Sequence, residues 1–474
     1  KLMLNFFKKN FLLISFFFII ILSILDNQVI VIENLIFTNI GINRVNLKWV
    51  SFILTIFLGV YLLLSKKKSY YYLAEQKYFI IFLIYILIYS FFNFYFFSEV
   101  IFENFEKIKT IFKLNERLTL FIYVLSKTIY WLSLLAIFLI FFNIIEKYNK
   151  NKIEKFFLLF FILFLFLNIF YQFSLNYELN FLIKNLGSYS RDFISENFVG
   201  KEMYYENGQI IFVNNLHERY TGTFREPSYL AFYSSIIFFV SFNKKFNNLI
   251  IILIRIIAAH LIFATVSLKI LPFFLLMLIY LSILIRDKKT IFIYYLSPFI
   301  VAFIFNLIFF DHSINLINKC LYYLNVFFPD FFKFVVSLIY DNELSVLIKN
   351  FDSQDKLATG TIIKSENLET ISIFKLIFGV SLISNKLENF YLLFLGKSAI
   401  IHTYYISGVF IFLVLYQFCK NIFALNNREI LQNSILLIYI FQYFYFTKDT
   451  FQIDLILIYM VAYINSKNEF KYTK

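Results

Sequence analysis

Residues 47–97 read LKWVSFILTIFLGVYLLLSKKKSYYYLAEQKYFIIFLIYILIYSFFNFYFF. Two apolar runs, 47–64 and 78–97, enclose a short gap that holds Lys66, Lys67, Lys68 and Lys77. Each run has about the 20 residues a helix needs to cross bilayer hydrocarbon. The backbone there must satisfy its own hydrogen bonds, so such runs read as transmembrane helices rather than core strands. The lysines between them mark an end that stays in the cytoplasm.

Outward from this stretch the pattern recurs about a dozen times. Candidate helices fall at 11–25, 47–64, 78–97, 118–145, 156–175, 227–242, 249–266, 270–285, 290–310, 398–418, 431–447 and 451–466. The expected fold is therefore all-α, a polytopic bundle of about 12 transmembrane helices in a single integral membrane domain over 1–474. With the N-terminus inside, every basic short connection lands on one side: Lys66 to Lys77, Lys147 to Lys155, Lys244 and Lys245, Arg286 to Lys289, Lys420 and Arg428, and the tail from Lys467. Two connections are far longer, about 176–226 and about 311–397, and both fall outside. Chemistry is expected at that outer face. The mixed-charge segment 98–117 reads as an outer amphipathic piece, and 320–340, broken by Pro329 and Asp330, as an interfacial helix.

A chain 60% hydrophobic and only 16% charged lies outside the composition of soluble domains. The net charge of +14 resides at helix ends, where orientation in the membrane already accounts for it, so no nucleic-acid partner is expected. The 69 Phe, beside only 10 Gly and 4 Pro, read as lipid-facing bulk. Cys320 faces outward and Cys419 inward, so they cannot pair, and cysteine supplies no disulfide or metal framework.

The densest polar cluster runs from His217 through Arg219, Gly222, Arg225 and Glu226 to Pro227 and Ser228. Pro227 suits a first helical turn, because the N–H it lacks would be unpaired there anyway. The free amides that follow form an electropositive helix end. Guanidinium groups bind phosphate bidentately, so Arg219 and Arg225 beside that end make a phosphate cradle. The same arginines could instead pair with Glu218 and Glu226 and anchor a loop at the headgroups. Arg191, next to Asp192, could contact a glycan or its neighbour. Within the seventh candidate helix, Arg255 lies about 9 Å from the cytoplasmic end and is expected to snorkel. His260 lies deeper, where an ionisable group suggests function by default.

The Arg219, Gly222, Glu226-Pro227-Ser228 spacing, at a helix start after a long outer loop, resembles the O-antigen and capsular polysaccharide polymerases, relatives of the O-antigen ligases. Thr265-Val266-Ser267-Leu268-Lys269 is similar to that superfamily's Ser-Arg/Lys element. Ile377-Phe378-Gly379-Val380-Ser381, followed by His402 and Gly408, is similar to its Gly-x-Gly, His, Gly pattern, with Ser381 in place of the second glycine. The resemblance implies polymerisation of undecaprenyl-diphosphate-linked repeat units into O-antigen or capsular polysaccharide at the periplasmic face of the bacterial inner membrane. It implies no metal or cofactor, membrane lipid as surroundings, and a chain-length regulator as a further partner. Arg219, Arg225, Lys269, Arg191 and Ser228 would hold diphosphate or glycan, Arg219 also serving the reaction, and Glu226 or His402 would act as base. Lys269 could equally snorkel at its turn. His402, about 6 Å into the tenth candidate helix, could be a hydrogen-bonded interfacial residue. Two rivals share these features: an O-antigen ligase transferring glycan to lipid A core, and a lipid-linked glycan flippase or transporter. The scarcity of Gly and Pro and the absence of a visible internal repeat weigh against transport.

Overall fold

Apolar runs become helices that stop where charged or capping residues interrupt them. The computed structural model describes residues 2–25, 29–31, 44–97, 115–176, 203–206, 209–212, 219–220, 222, 224, 227–240, 248–267, 289, 292–310, 316, 377–379, 403–404, 406–425 and 453–465. Its helices are α1 (Leu2–Ile24), α2 (Leu47–Ser65), α3 (Lys67–Glu75), α4 (Lys77–Phe97), α5 (Glu116–Lys147), α6 (Lys150–Asn176), α7 (Pro227–Phe239), α8 (Asn248–Ala264), α9 (Ser297–Phe309), α10 (Ile411–Leu425) and α11 (Ile456–Asn465). Short strands in the connections form two small antiparallel sheets, β1 (Val29–Val31) with β2 (Arg44–Asn46), and β3 (Met203–Glu206), β4 (Gln209–Phe212) and β5 (Arg219–Tyr220) in that order. Capping is visible at α5, where the Asn115 side chain accepts from the Leu118 amide at 2.8 Å.

The fold is helical and of membrane type. Among the described residues four stretches are long and apolar enough to cross a bilayer: Leu47–Ser65, Thr128–Lys147, Lys150–Phe170 and Phe292–Phe309. α3 with α4 makes a fifth if the bent pair counts as one. Phe57 and Leu64 on α2, and Ile304, Ile308 and Phe309 on α9, are exposed large apolar side chains. Stripes of this kind suit hydrocarbon rather than water. The expected spans at 270–285 and 431–447, and the segments 98–114 and 320–340, lie outside the described residues apart from a few isolated positions in neighbouring stretches.

By Cα proximity the chain divides into two compact units, Lys1–Phe164 with Lys184–Tyr189 and Glu366–Asn468, and Leu165–Ile183 with Ser190–Ser365 and Glu469–Lys474. In the first, α2 runs against α5 so closely that a Cβ on Gly59 would lie 2.8 Å from that of Ala136. Small residues allow such approach between membrane helices, where dispersion rather than water drives packing. The Phe residues correct the expectation of lipid-facing bulk. Phe79 and Phe82 pack on Trp131, and Phe138 meets Phe418 and Tyr459 in a buried aromatic core. Flat rings offer large contact area at little rotamer entropy, which is why an apolar bundle uses them inside as well as out.

Two further expectations change. The lysine-rich gap after α2 is not a plain loop but holds α3. The tenth helix does not run through 398–418: Thr403, Tyr404, Ile406 and Ser407 are helical, Gly408 turns left-handed at φ 56°, and a 3₁₀ turn leads into α10 at Ile411.

In the second unit Arg255 is buried and does not snorkel. Its guanidinium donates to Phe238 O (3.1 Å) and Val240 O (3.0 Å) at the end of α7, and to Tyr294 O (2.7 Å) in the π turn before α9. The Tyr295 ring lies 4.0 Å from its Cζ. A cation on the last carbonyls of a helix meets both their free lone pairs and the negative end of the helix dipole. Three inward carbonyls therefore outcompete the headgroup region. His260 is also buried, its ring edge-on to Phe305 and tilted against Phe310.

Candidate functional site

The stretch from Arg219 to Ser228 is pinned to the second unit at every second residue over its first half. β5 pairs antiparallel with β4, Ile210 opposite Arg219 and Gln209 opposite Tyr220, and lies against α8. Tyr220 is almost fully buried, and its hydroxyl donates to Asn168 O of α6. Gly222 has φ 58°, and a Cβ there would sit 2.1 Å from Asn168 Oδ1 and 3.1 Å from Leu230 Cδ2. Only glycine meets both demands, a left-handed backbone and no side chain. Phe224 is buried and stacks on Tyr233 of α7, ring centroids 5.0 Å apart and planes 7° off parallel. The chain then enters α7 at Pro227 as the spacing predicts.

Arg219 thus lies in β5, and Ser228 is the second residue of α7. Arg191, Arg225, Glu226, Lys269 and His402 lie outside the described residues.

The turn before Lys269 is described. Thr265 and Val266 close α8 through Thr265 N to Leu261 O and Val266 N to Phe263 O. Val266 is buried with φ 46°, a conformation that a β-branched residue adopts only under strain of about 1–2 kcal/mol. Thr265 and Ser267 are buried too, and the Thr265 hydroxyl donates to Ile262 O at 2.7 Å. Such strain persists where surroundings over-determine it, commonly at functional turns.

In the first unit the structure brings together two glycines that the sequence holds 29 positions apart, Gly379 and Gly408. Gly379 has φ 78°, and a Cβ on it would lie 2.3 Å from Ile406 O; one on Gly408 would lie 2.1 Å from Ile377 O. Two backbones cross here with no room for a side chain on either. The crossing is fastened by α4, where Tyr85 donates to Phe378 O at 2.6 Å and Tyr89 to Gly379 O at 3.0 Å. Tyr85 also stacks on Phe410 with centroids 3.7 Å apart. Buried backbone that leaves regular structure requires such partners for its carbonyls. The sequence reading missed both tyrosines and Asn168. The available signals were the i, i+4 spacing of Tyr85 and Tyr89 on one helix face and a polar residue inside the apolar run 156–175.

At the lysine-rich end of the same unit, Lys68 pairs with Glu146, and Lys420 Nζ lies 2.7 Å from Glu75 Oε2. The hydrogen bond and charge of Lys420 hold the Glu75 carboxyl below its usual range. Gln76 and Asn421 exchange side-chain hydrogen bonds, each 2.9 Å. α3, the end of α5 and the part of α10 that carries Lys420 therefore meet at one end of the unit, and Tyr148, just after α5, donates to Lys9 O of α1 at 3.1 Å.

Searches against family models, curated proteins and solved structures return no match for this chain.

Proposed function

We propose that the chain is a multi-pass glycosyltransferase of the bacterial inner membrane, with about 12 spans, that polymerises undecaprenyl-diphosphate-linked repeat units at the periplasmic face. The observation that carries this reading is the triple anchoring of the Arg219–Ser228 stretch by Tyr220, Gly222 and Phe224. A loop that merely touched headgroups would not need its backbone fixed at alternate residues directly before a helix start. A diphosphate leaving group does need fixed positive charge as its own charge develops.

In this mechanism the acceptor sugar hydroxyl attacks the anomeric carbon of the donor glycan. The new glycosidic bond forms as the bond from that carbon to the diphosphate oxygen breaks, and the hydroxyl proton passes to Glu226 acting as base. Undecaprenyl diphosphate departs against Arg219, Arg225, Lys269 and the first amides of α7, with Arg191 and Ser228 toward the glycan.

Polysaccharide profiles from a deletion strain test the reading. Loss of a polymerase leaves single repeats on the cell surface, whereas loss of a ligase leaves no glycan attached and loss of a flippase traps units inside. Complementation refines it: Arg219→Ala and Arg225→Ala each remove charge-assisted hydrogen bonds worth roughly 1.5 to 3 kcal/mol, slowing polymer growth by about one to two powers of ten. The Lys variants, which keep charge but not the fork, should fall between parent and Ala. Restoration of Arg219→Ala by also neutralising Glu218 would reduce the arginine to a loop anchor.

A further inference from the structure

The lysine-rich end of the first unit carries a surface that the glycan chemistry does not use. α4 has 21 residues, about 31 Å at 1.5 Å per residue, a length comparable with the thickness of bilayer hydrocarbon. α3 bends 72° away from α4, and extended Lys66 (φ −137°, ψ 116°) separates it from α2. A helix set so far off the axis of α4 has the orientation of one that lies along the surface of a bilayer that α4 crosses.

It is held there from two sides. Toward α5, Tyr72 donates to Glu146 Oε2 at 2.9 Å, Lys68 pairs with the same carboxylate, and Asn143 Nδ2 donates to Ser69 Oγ at 3.2 Å. Toward α10, Glu75 and Gln76 engage Lys420, Gln417 and Asn421. Ser69 and Gln76 are buried, which turns Lys67, Tyr70 and Tyr71 to the other side, both rings more than half exposed, and Lys77 is exposed at the start of α4. Lys68 and Lys420 are matched by carboxylates. Burial, followed by the neighbouring charge of Lys147, pushes the Lys66 ammonium below its usual range, with Glu146 opposing. The end of the unit is therefore net positive, with exposed ammonium groups set beside tyrosine rings.

We infer that α3 is an in-plane docking surface for anionic phospholipid headgroups, with Lys67 and Lys77 meeting phosphate oxygens and Tyr70 and Tyr71 seated at headgroup level. Tyrosine prefers that depth because its ring is apolar and its hydroxyl wet, and lysine near an anionic leaflet gains from the surface potential. The two clamps matter because a rigid helix binds headgroups without first being ordered.

The full chain in neutral detergent, offered phosphatidylglycerol against phosphatidylcholine, provides the test, with retained lipid read by native mass spectrometry. The parent should prefer phosphatidylglycerol. Each surface lysine is worth about fivefold, so Lys67→Gln with Lys77→Gln should weaken that preference about thirtyfold at low ionic strength. Both side chains are exposed, so helix content by circular dichroism should not change. Lys67→Arg with Lys77→Arg, which keeps the charge, should keep the preference. Equal retention of the two lipids by the parent overturns the inference, as does an undiminished preference in the Gln pair or its loss in the Arg pair. Polymer formation is not the readout, so the result stands apart from the proposed glycosyl transfer.

Discussion

Gly222 shows how much one missing Cβ decides. Its φ of 58° and the 2.1 Å approach of Asn168 Oδ1 bind the Arg219–Ser228 stretch to α6. Gly222→Ala should therefore fail twice, through backbone strain of about 1 kcal/mol and through collision. Gly222→Ala with Asn168→Ala removes the 2.1 Å collision and leaves the strain and the 3.1 Å approach of Leu230. Thermal unfolding of the purified protein should place the double variant above Gly222→Ala and below the parent; a double variant no better than the single one would put the whole defect in the backbone. Pro227 is legible from the sequence, because a helix-opening proline has a local cause. Tyr220, Phe224 and Asn168 are not, because their roles exist only once β5, α6 and α7 are side by side.

At the scale of elements, hydrophobic length locates helices with little ambiguity: 47–64 becomes Leu47–Ser65 and 249–266 becomes Asn248–Ala264. α3 escapes such a reading because its residues are charged and aromatic, and its helix is sustained by partners on α5 and α10 rather than by an apolar face. Arg255 misleads for a related reason. Its distance from the membrane edge suggests snorkelling, yet three carbonyls inside the unit accept from its guanidinium. Arg255→Met should keep the stem packing and lose the hydrogen bonds, each worth roughly 1.5 to 3 kcal/mol, so the unfolding midpoint should fall clearly. Arg255→Lys should recover only part, since a point charge cannot reach all three carbonyls. Equal midpoints for Met and Arg would show that the stem alone joins α7 to the turn before α9.

For the whole molecule, orientation is the statement with the widest consequences. Single cysteines at Ser188 and Ser365, in a background lacking Cys320 and Cys419, should react with an impermeant thiol reagent applied from outside, and one at Asn151 should not. Labelling of Asn151 with protection of Ser188 would reverse the chain in the membrane and move the proposed chemistry to the cytoplasmic side. Apolar length by itself determined that this chain is helical and of membrane type, since that follows from the bilayer as solvent and needs no partner residue. The contacts of Lys68 with Glu146 and of Lys420 with Glu75 then place the connections after α2 and α5 and the lysine of α10 at one end of the first unit. Only the tertiary structure decided that Gly379 meets Gly408, that Arg255 caps α7, and that Phe fills the interior as well as the surface. Each depends on the distance between residues far apart in sequence. Periodicity along one helix reports which face is apolar, but carries no information about the backbone that will lie against it.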